Sequence, residues 1–167
     1  MASDELDKVE LPALEQLQSL GWSYVEGAQL SPDESDERSS LKDVVLEKRL
    51  TTSLKRINPW INDENLRKVV RDLTKTLYPN LVEANQAIWT QINQSVSVMQ
   101  DLGKGNKGQT VHIIDFENPE NNEFLCTNQF KVSGVNQNII PDILCFVNGL
   151  PLAVIECKSP YITNPME

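Results

Sequence analysis

One histidine, few aromatic residues (6%) and no long apolar run set the first limits on this 167-residue chain. With His112 alone, zinc sites built on several histidines and histidine-centred triads have almost nothing to use. No stretch approaches the 18 or more apolar residues of a membrane-spanning helix. The start, Met1-Ala2-Ser3-Asp4-Glu5, is acidic where a secretory signal is basic. The three cysteines, Cys126, Cys145 and Cys157, are an odd number set in apolar surroundings. That pattern predicts buried, reduced thiols and a cytoplasmic protein, not a disulfide framework. Hydrophobic residues, at 40%, suffice for a core, and the length suits a single domain over residues 1–167.

Positive charge is also scarce: the net charge is −9, which argues against DNA binding by the whole surface. The bases are not spread evenly. Residues 1–37 hold ten acids and one base, whereas residues 42–75 hold nine bases and five acids. That middle segment is where nucleic acid would be met, with Lys48, Arg49, Lys55 and Arg56 as the candidate DNA-binding residues. Solvation of helix faces is the alternative reading of the same charges.

Residues 31–40 (SPDESDERSS) read as a mobile linker. Before it, Leu11, Leu14, Leu17 and Leu20 predict a short helix stopped by Gly21, followed by an extended Trp22–Tyr24 segment. After it, Ser40 and Asp43 resemble a capping box opening a helix over 41–57, ended by Asn58-Pro59. A second helix is expected from Asp63 to Leu77, stopped by Tyr78-Pro79. A third follows Asn80, whose side chain caps it while Glu83 returns the bond. Its predicted stripe is Ile88, Trp89, Ile92, Val96 and Met99. Gly103-Lys104-Gly105-Asn106-Lys107-Gly108 lacks the Gly-Lys-Ser/Thr ending of a nucleotide-binding loop and precedes a strand, so a solvated turn is expected. Strands are predicted at 110–116, 123–132, 142–147 and 152–157. Helices followed by strands imply an α/β domain with one mixed sheet.

The chemistry concentrates between Asp142 and Lys158. Two apolar strands flank Asn148-Gly149, a hairpin signal. At the far ends stand Asp142, Glu156 and Lys158, charges that apolar strands usually avoid. Glu156 and Lys158 share a face because strand side chains alternate. A two-residue turn would pair Asp142 with Ile155, on the wrong face. A three-residue loop, or a bulge of the same effect, would pair Asp142 with Glu156, and that register is the one expected here. Two carboxylates and a lysine converging at a strand end can hold Mg²⁺ through oxygen ligands, with the backbone carbonyl of Cys157 as a further donor. An ion pair between Glu156 and Lys158, with Asp142 capping the strand, is the structural alternative.

Pro141-Asp142 followed by Glu156-Cys157-Lys158 resembles the PD-(D/E)xK nuclease signature. Val147-Asn148-Gly149-Leu150-Pro151-Leu152 leading to Ile155-Glu156-Cys157-Lys158-Ser159-Pro160 resembles the R (restriction) subunit of type I restriction-modification enzymes. So do Ile114-Asp115-Phe116, Asn121-Asn122-Glu123-Phe124, Asn128-Gln129-Phe130 and Leu20-Gly21-Trp22. The resemblance implies a restriction-endonuclease-like mixed sheet flanked by helices, and Mg²⁺-dependent hydrolysis of double-stranded DNA. It makes Asp142 and Glu156 metal ligands, Lys158 the catalytic lysine, and an upstream helical acid, for which Glu47 is the candidate, a third ligand. It also implies an ATP-driven motor in further domains and modification and specificity subunits as partners. The chain ends at Glu167, before the Gln-x-x-x-Tyr segment and the motor motifs of that family, so it is expected to be an N-terminal fragment. Cys157 stands where an apolar residue is usual, and no Arg precedes Pro141. A non-catalytic DNA-holding or subunit-docking module with the nuclease fold is the alternative to an active enzyme.

Overall fold

A computed structural model describes residues 6–75, 80–134, 136–159 and 161. The chain divides into two compact units, Met1–Leu46 with Phe124–Glu167, and Glu47–Glu123. Its architecture is mixed α/β.

In the first unit a π-helical stretch, Leu6–Glu10, runs into α1 (Leu11–Ser19). Gly21, at φ 95°, ends it in the left-handed region that favours glycine, and the Trp22 N–H returns to the Leu17 carbonyl. The chain then forms β1 (Ser23–Tyr24) and a 3₁₀ turn, Gly27–Leu30. Gly27 is required there, because a Cβ would lie 2.3 Å from the Asn128 carbonyl oxygen. The remaining strands are β4 (Phe124–Asn128), β5 (Val132–Ser133), β6 (Asn138–Ile139), β7 (Ile143–Val147) and β8 (Leu150–Ile155). The main sheet has the order β1-β4-β7-β8, with β1 parallel to β4 and the other pairs antiparallel, so it is mixed as expected. β5 and β6 pair separately.

Strand alternation gives the sheet two cores. On one face Leu125, Leu144 and Phe146 pack with Leu30, Leu46 and Phe130. On the other Cys126, Ile143, Cys145 and Cys157 pack with Leu14 of α1. All three cysteines are buried and outside any disulfide, as predicted. Burial, with a smaller contribution from Cys145, pushes the Cys126 thiol up to about 11.

Residues 31–40, expected to be a mobile linker, belong to this unit and carry a buried side chain. The Arg38 guanidinium donates to the carbonyls of Asp43, Lys131 and Leu41 at 2.7, 2.9 and 2.8 Å. It also lies over the Phe130 ring, 4.0 Å from the centroid. The Ser40/Asp43 pair bonds reciprocally, but it closes a turn and opens no helix. Asp43 Oδ2 accepts from the Ser39 and Ser40 N–H groups, and Ser40 Oγ accepts from Lys42 N–H.

The second unit begins with α2 (Glu47–Ile57) and α3 (Asp63–Thr74), followed by α4 (Leu81–Gln94). Asn58, buried after α2, binds the His112 backbone through both its side-chain groups. The expected stop of the next helix at Leu77-Tyr78-Pro79 lies outside the described residues. The cap on α4 is as read: Asn80 Oδ1 accepts from Glu83 N–H, and Glu83 accepts from Asn80 Nδ2, both at 2.9 Å.

The third helix is shorter than its stripe suggested. Ser95, at φ 65°, breaks it, and Val96 and Met99 enter β2 (Val96–Asp101), which pairs with β3 (Asn106–Val111) in a hairpin. Alternate β2 residues Val98 and Gln100 are buried while Met99 is exposed, a period of two that the helical stripe masked. Trp89, expected in the core, is 61% exposed. The strand expected at 110–116 therefore ends at Val111 and begins earlier. Gly103 and Gly105 make the solvated turn between β2 and β3, at φ 92° and 81°.

Candidate active site

The hairpin that carries the candidate residues is specified by its turn. Asn148 and Gly149 both take positive φ, 54° and 80°, as a two-residue primed turn demands. Val147 therefore pairs with Leu150, and the expected three-residue loop does not occur. The compensating irregularity was the other form expected, and it is present. Phe146 pairs with Pro151 but Cys145 pairs with Ala153, so Leu152 is the extra residue of a bulge. Pro151 has no N–H to give the ladder, and proline in a sheet is tolerated at edges and bulges.

Beyond the bulge Ile143 faces Ile155, and Asp142 and Glu156 are the residues just past that pair. Cys157 lies buried in the core with Leu14 and Cys126. Glu156 and Lys158, flanking Cys157, are exposed.

Asp142 is held from two sides. Its carbonyl oxygen accepts from Gln129 N–H at 3.2 Å, and its Oδ2 accepts from Cys157 N–H at 2.6 Å. Oδ1 stands outside that bond. The Cys157 side chain, packed against Leu14 and Cys126, anchors the backbone between Glu156 and Lys158. Carboxylates and a backbone carbonyl are oxygen donors of the kind a hard divalent cation takes. Among the described residues no group of three or more His, Cys, Asp or Glu side chains is placed to hold a metal.

The other candidates lie in the second unit. Glu47 is exposed in the first turn of α2. Arg49 is paired with Glu123, Lys55 with Asp63 at 2.8 Å, and Arg56 donates to the Asn121 carbonyl and to Ser53 Oγ. Lys48 is exposed.

Sequence reading passed over a polar network on the helix side of the sheet. Glu10 is 4% exposed and accepts from Asn128 Nδ2 at 2.8 Å, and Tyr24 donates to Asn128 Oδ1 at 2.7 Å. Asn128 pairs with Ile143, the neighbour of Asp142. Desolvation first, then the charges of Glu26, Cys126 and Glu10, holds the Tyr24 hydroxyl above its usual range. Glu10 is one of ten acids in its segment, and nothing in its spacing distinguishes it.

Comparison with known proteins bears on the whole chain. Residues 3–167 match the family described as the type I restriction enzyme R protein N terminus. The HindI endonuclease subunit of a type I restriction enzyme, from Haemophilus influenzae, is 36% identical over 154 residues, 91% of this chain. A provisionally assigned MjaIXP endonuclease subunit from Methanocaldococcus jannaschii is 36% identical over 155 residues, again 91% of the chain. A provisionally assigned MjaVIIIP subunit from the same organism is 32% identical over 151 residues, 88% of the chain. The matched regions are 15%, 15% and 13% of those longer proteins. No helix among the described residues is long and apolar enough to cross a membrane. This chain belongs to the type I restriction enzyme R protein N-terminal family.

Proposed function

We propose that the Asp142–Lys158 hairpin is the hydrolytic centre of a magnesium-dependent endonuclease domain acting on double-stranded DNA. The observation that supports this reading is the bulge at Leu152, which sets Ile143 opposite Ile155, so that Asp142 lies just past one end of that pair and Glu156 and the exposed Lys158 just past the other. Asp142, Glu156 and the Cys157 backbone carbonyl would hold the cation, which when bound lowers the pKa of a water and neutralises phosphate charge. The Cys157 N–H fixes one oxygen of Asp142 and so orients the carboxylate before any ligand arrives. Lys158 offers an ammonium group to orient the attacking water and to stabilise negative charge growing at phosphorus. Glu156, at the solvent edge, is open to DNA approaching from outside. Glu47, at the start of α2, is the candidate for a further acidic ligand.

In the whole protein, cutting would be coupled to ATP-driven translocation by domains outside this chain and would occur in a complex with modification and specificity subunits. The test is plasmid cleavage by that assembled enzyme in the presence of Mg²⁺. Asp142→Ala and Lys158→Ala should each abolish cutting while leaving ATP hydrolysis intact. Normal cleavage by either variant would remove the site from the reaction. A Mn²⁺ titration of the present chain separates this reading from a purely docking role, which requires no metal.

A further inference from the structure

The bases of the second unit fall into two groups that the sequence alone does not separate. On α2 the cations are engaged within the unit: Arg49 with Glu123, Lys55 with Asp63, and Arg56 with Asn121 and Ser53. On α3 they are less so. Arg67, Arg71 and Lys75 recur every four residues and are exposed. All three line one cleft of about 390 Å³ beside Thr51, Leu66 and Thr74.

Among the described residues this ridge carries one ion pair, Arg71 with its neighbour Asp72, long at 3.9 Å. Asp63, one turn before Arg67, is hydrogen-bonded by Lys55, the main reason its pKa is depressed, and the Arg67 charge adds a smaller contribution. Favourable placement near a helix C-terminus accounts for Arg71 and Lys75 but not for Arg67, in the middle of α3. The cleft contains one acid, Glu47.

We propose that the Arg67–Arg71–Lys75 ridge of α3 is the surface that grips the phosphate backbone of duplex DNA. The inference rests on the endonuclease reading above and replaces the α2 bases as the contact. At about 1.5 Å rise per residue the ridge is roughly 12 Å long. That length spans about three successive phosphate levels of one strand, spaced about 3.4 Å along the duplex axis. Guanidinium groups match phosphate oxygens in a bidentate fork, which favours Arg where orientation must be fixed. In a chain of net charge −9, a local row of exposed cations also steers DNA to one place and away from the rest of the surface.

The test measures binding of a short duplex to the full 167-residue chain by fluorescence anisotropy, in EDTA, across roughly 50 to 200 mM salt. Each phosphate contact contributes about −0.9 to the slope of log affinity against log salt. R67Q/R71Q/K75Q should therefore flatten the slope by about 2.7, removing about a 40-fold share of the salt-dependent loss over that range. R67K/R71K/K75K, which keeps the charges, should retain the slope. K104Q/K107Q, which removes charge from the β2–β3 turn, should leave it unchanged. Unfolding curves for the glutamine variant should overlay the parent, since all three side chains are exposed.

An unchanged slope in R67Q/R71Q/K75Q overturns the proposal. So does a loss of the same size from K55Q/R56Q with the ridge variant unaffected, which would return the contact to α2. Binding of polyglutamate without salt-sensitive binding of DNA would make this a protein-docking face and equally reject it. If the nuclease reading alone is wrong, cleavage by the assembled enzyme survives Asp142→Ala while the ridge variant still weakens binding.

Discussion

β7 and β8 leave the same two-residue turn, yet all five residues of β7 are buried while the last four of β8 are exposed. The difference is position in the sheet. β7 lies between β4 and β8, with a core on each face; β8 is the outer strand. The consequence for the candidate site is a division of labour. Asp142, at the end of the interior strand, is tied to Gln129 and Cys157 and has one geometry. Glu156 and Lys158, at the end of the edge strand, face solvent. One acid is preorganised and the other is accessible. An exposed edge carrying Leu152, Val154 and Ile155 also invites pairing with other chains. The bulge at Leu152 and Pro151 disrupts its ladder and weakens that tendency.

If this contrast is right, the largest effect comes from the interior strand. Phe146→Ala should cost about 3–5 kcal/mol, because the ring is fully buried and packs edge-on to Phe130 at 5.4 Å between centroids. Val154→Ala, on the facing strand at 57% exposure, should cost about 0.5 kcal/mol or less. Urea unfolding of both variants measures the difference. Comparable losses would mean that β8 is covered in solution and that the contrast fails.

That contrast explains what the sequence could reveal. Apolar runs bounded by Asn148-Gly149 predicted the hairpin because both strands are apolar in composition. Composition alone could not say which strand lay at the edge. The loop length was misread because the extra residue sits two positions beyond the turn, at Leu152, where no local signal marks a bulge except Pro151. The register past the bulge, with Ile143 opposite Ile155, depends on the residue count and not on where the extra residue is placed. The third helix failed for a related reason: Val96 and Met99 fit a helical period, and only the tertiary pairing with β3 decides for a strand. Asp142, Glu156 and Lys158 stood out as charges at the ends of an apolar hairpin, and family resemblance gave them their proposed roles. Hydrogen-bond partners, which distinguish α2 from α3 and single out Glu10, are not encoded in any local pattern.

A second perturbation asks whether the interior of the first unit depends on directed polar bonds as well as on packing. Arg38→Met keeps much of the side-chain volume and its contact with Phe130 but removes three donors to backbone carbonyls. A loss of about 2–4 kcal/mol is expected from carbonyls left without a partner. Near-neutral stability would show that water replaces the guanidinium and that residues 31–40 are held loosely.

Gly149→Ala should have a smaller effect, about 1–2 kcal/mol, from forcing a Cβ into the left-handed region at φ 80°. Asn148→Gly should cost less, because glycine adopts the same conformation freely, although it gives up a buried side chain. Stability alone does not complete this test, because strain could be relieved by lengthening the loop. Amide hydrogen exchange at Ile143 and Ile155 reports whether the register that sets these two residues opposite each other survives. Protection lost there with little change in global stability would show that the turn, not the bulge, sets the site.

The smallest expected effect concerns another acid held by backbone donors, in the second unit. Asp115 Oδ1 accepts from the N–H groups of Glu117 and Asn118, and Oδ2 accepts from Asn121 Nδ2. The Asn121 bond first, then the Asn118 N–H, lowers its pKa below the ordinary carboxylate range. A carboxylate whose pKa is lower folded than unfolded stabilises the fold above the unfolded value, near 4, and loses that contribution as pH falls through the folded value. The group is exposed, so solvent screens the gain. Asp115→Asn should therefore melt slightly below the parent at about pH 6, and the gap should close as the solution is taken below about pH 3. A gap that persisted in acid would assign the difference to packing of the Asp115–Asn122 turn and not to the charge. A gap that closed would make Asp115, in the loop between β3 and β4, a second example beside Asp142 of a carboxylate held by backbone donors.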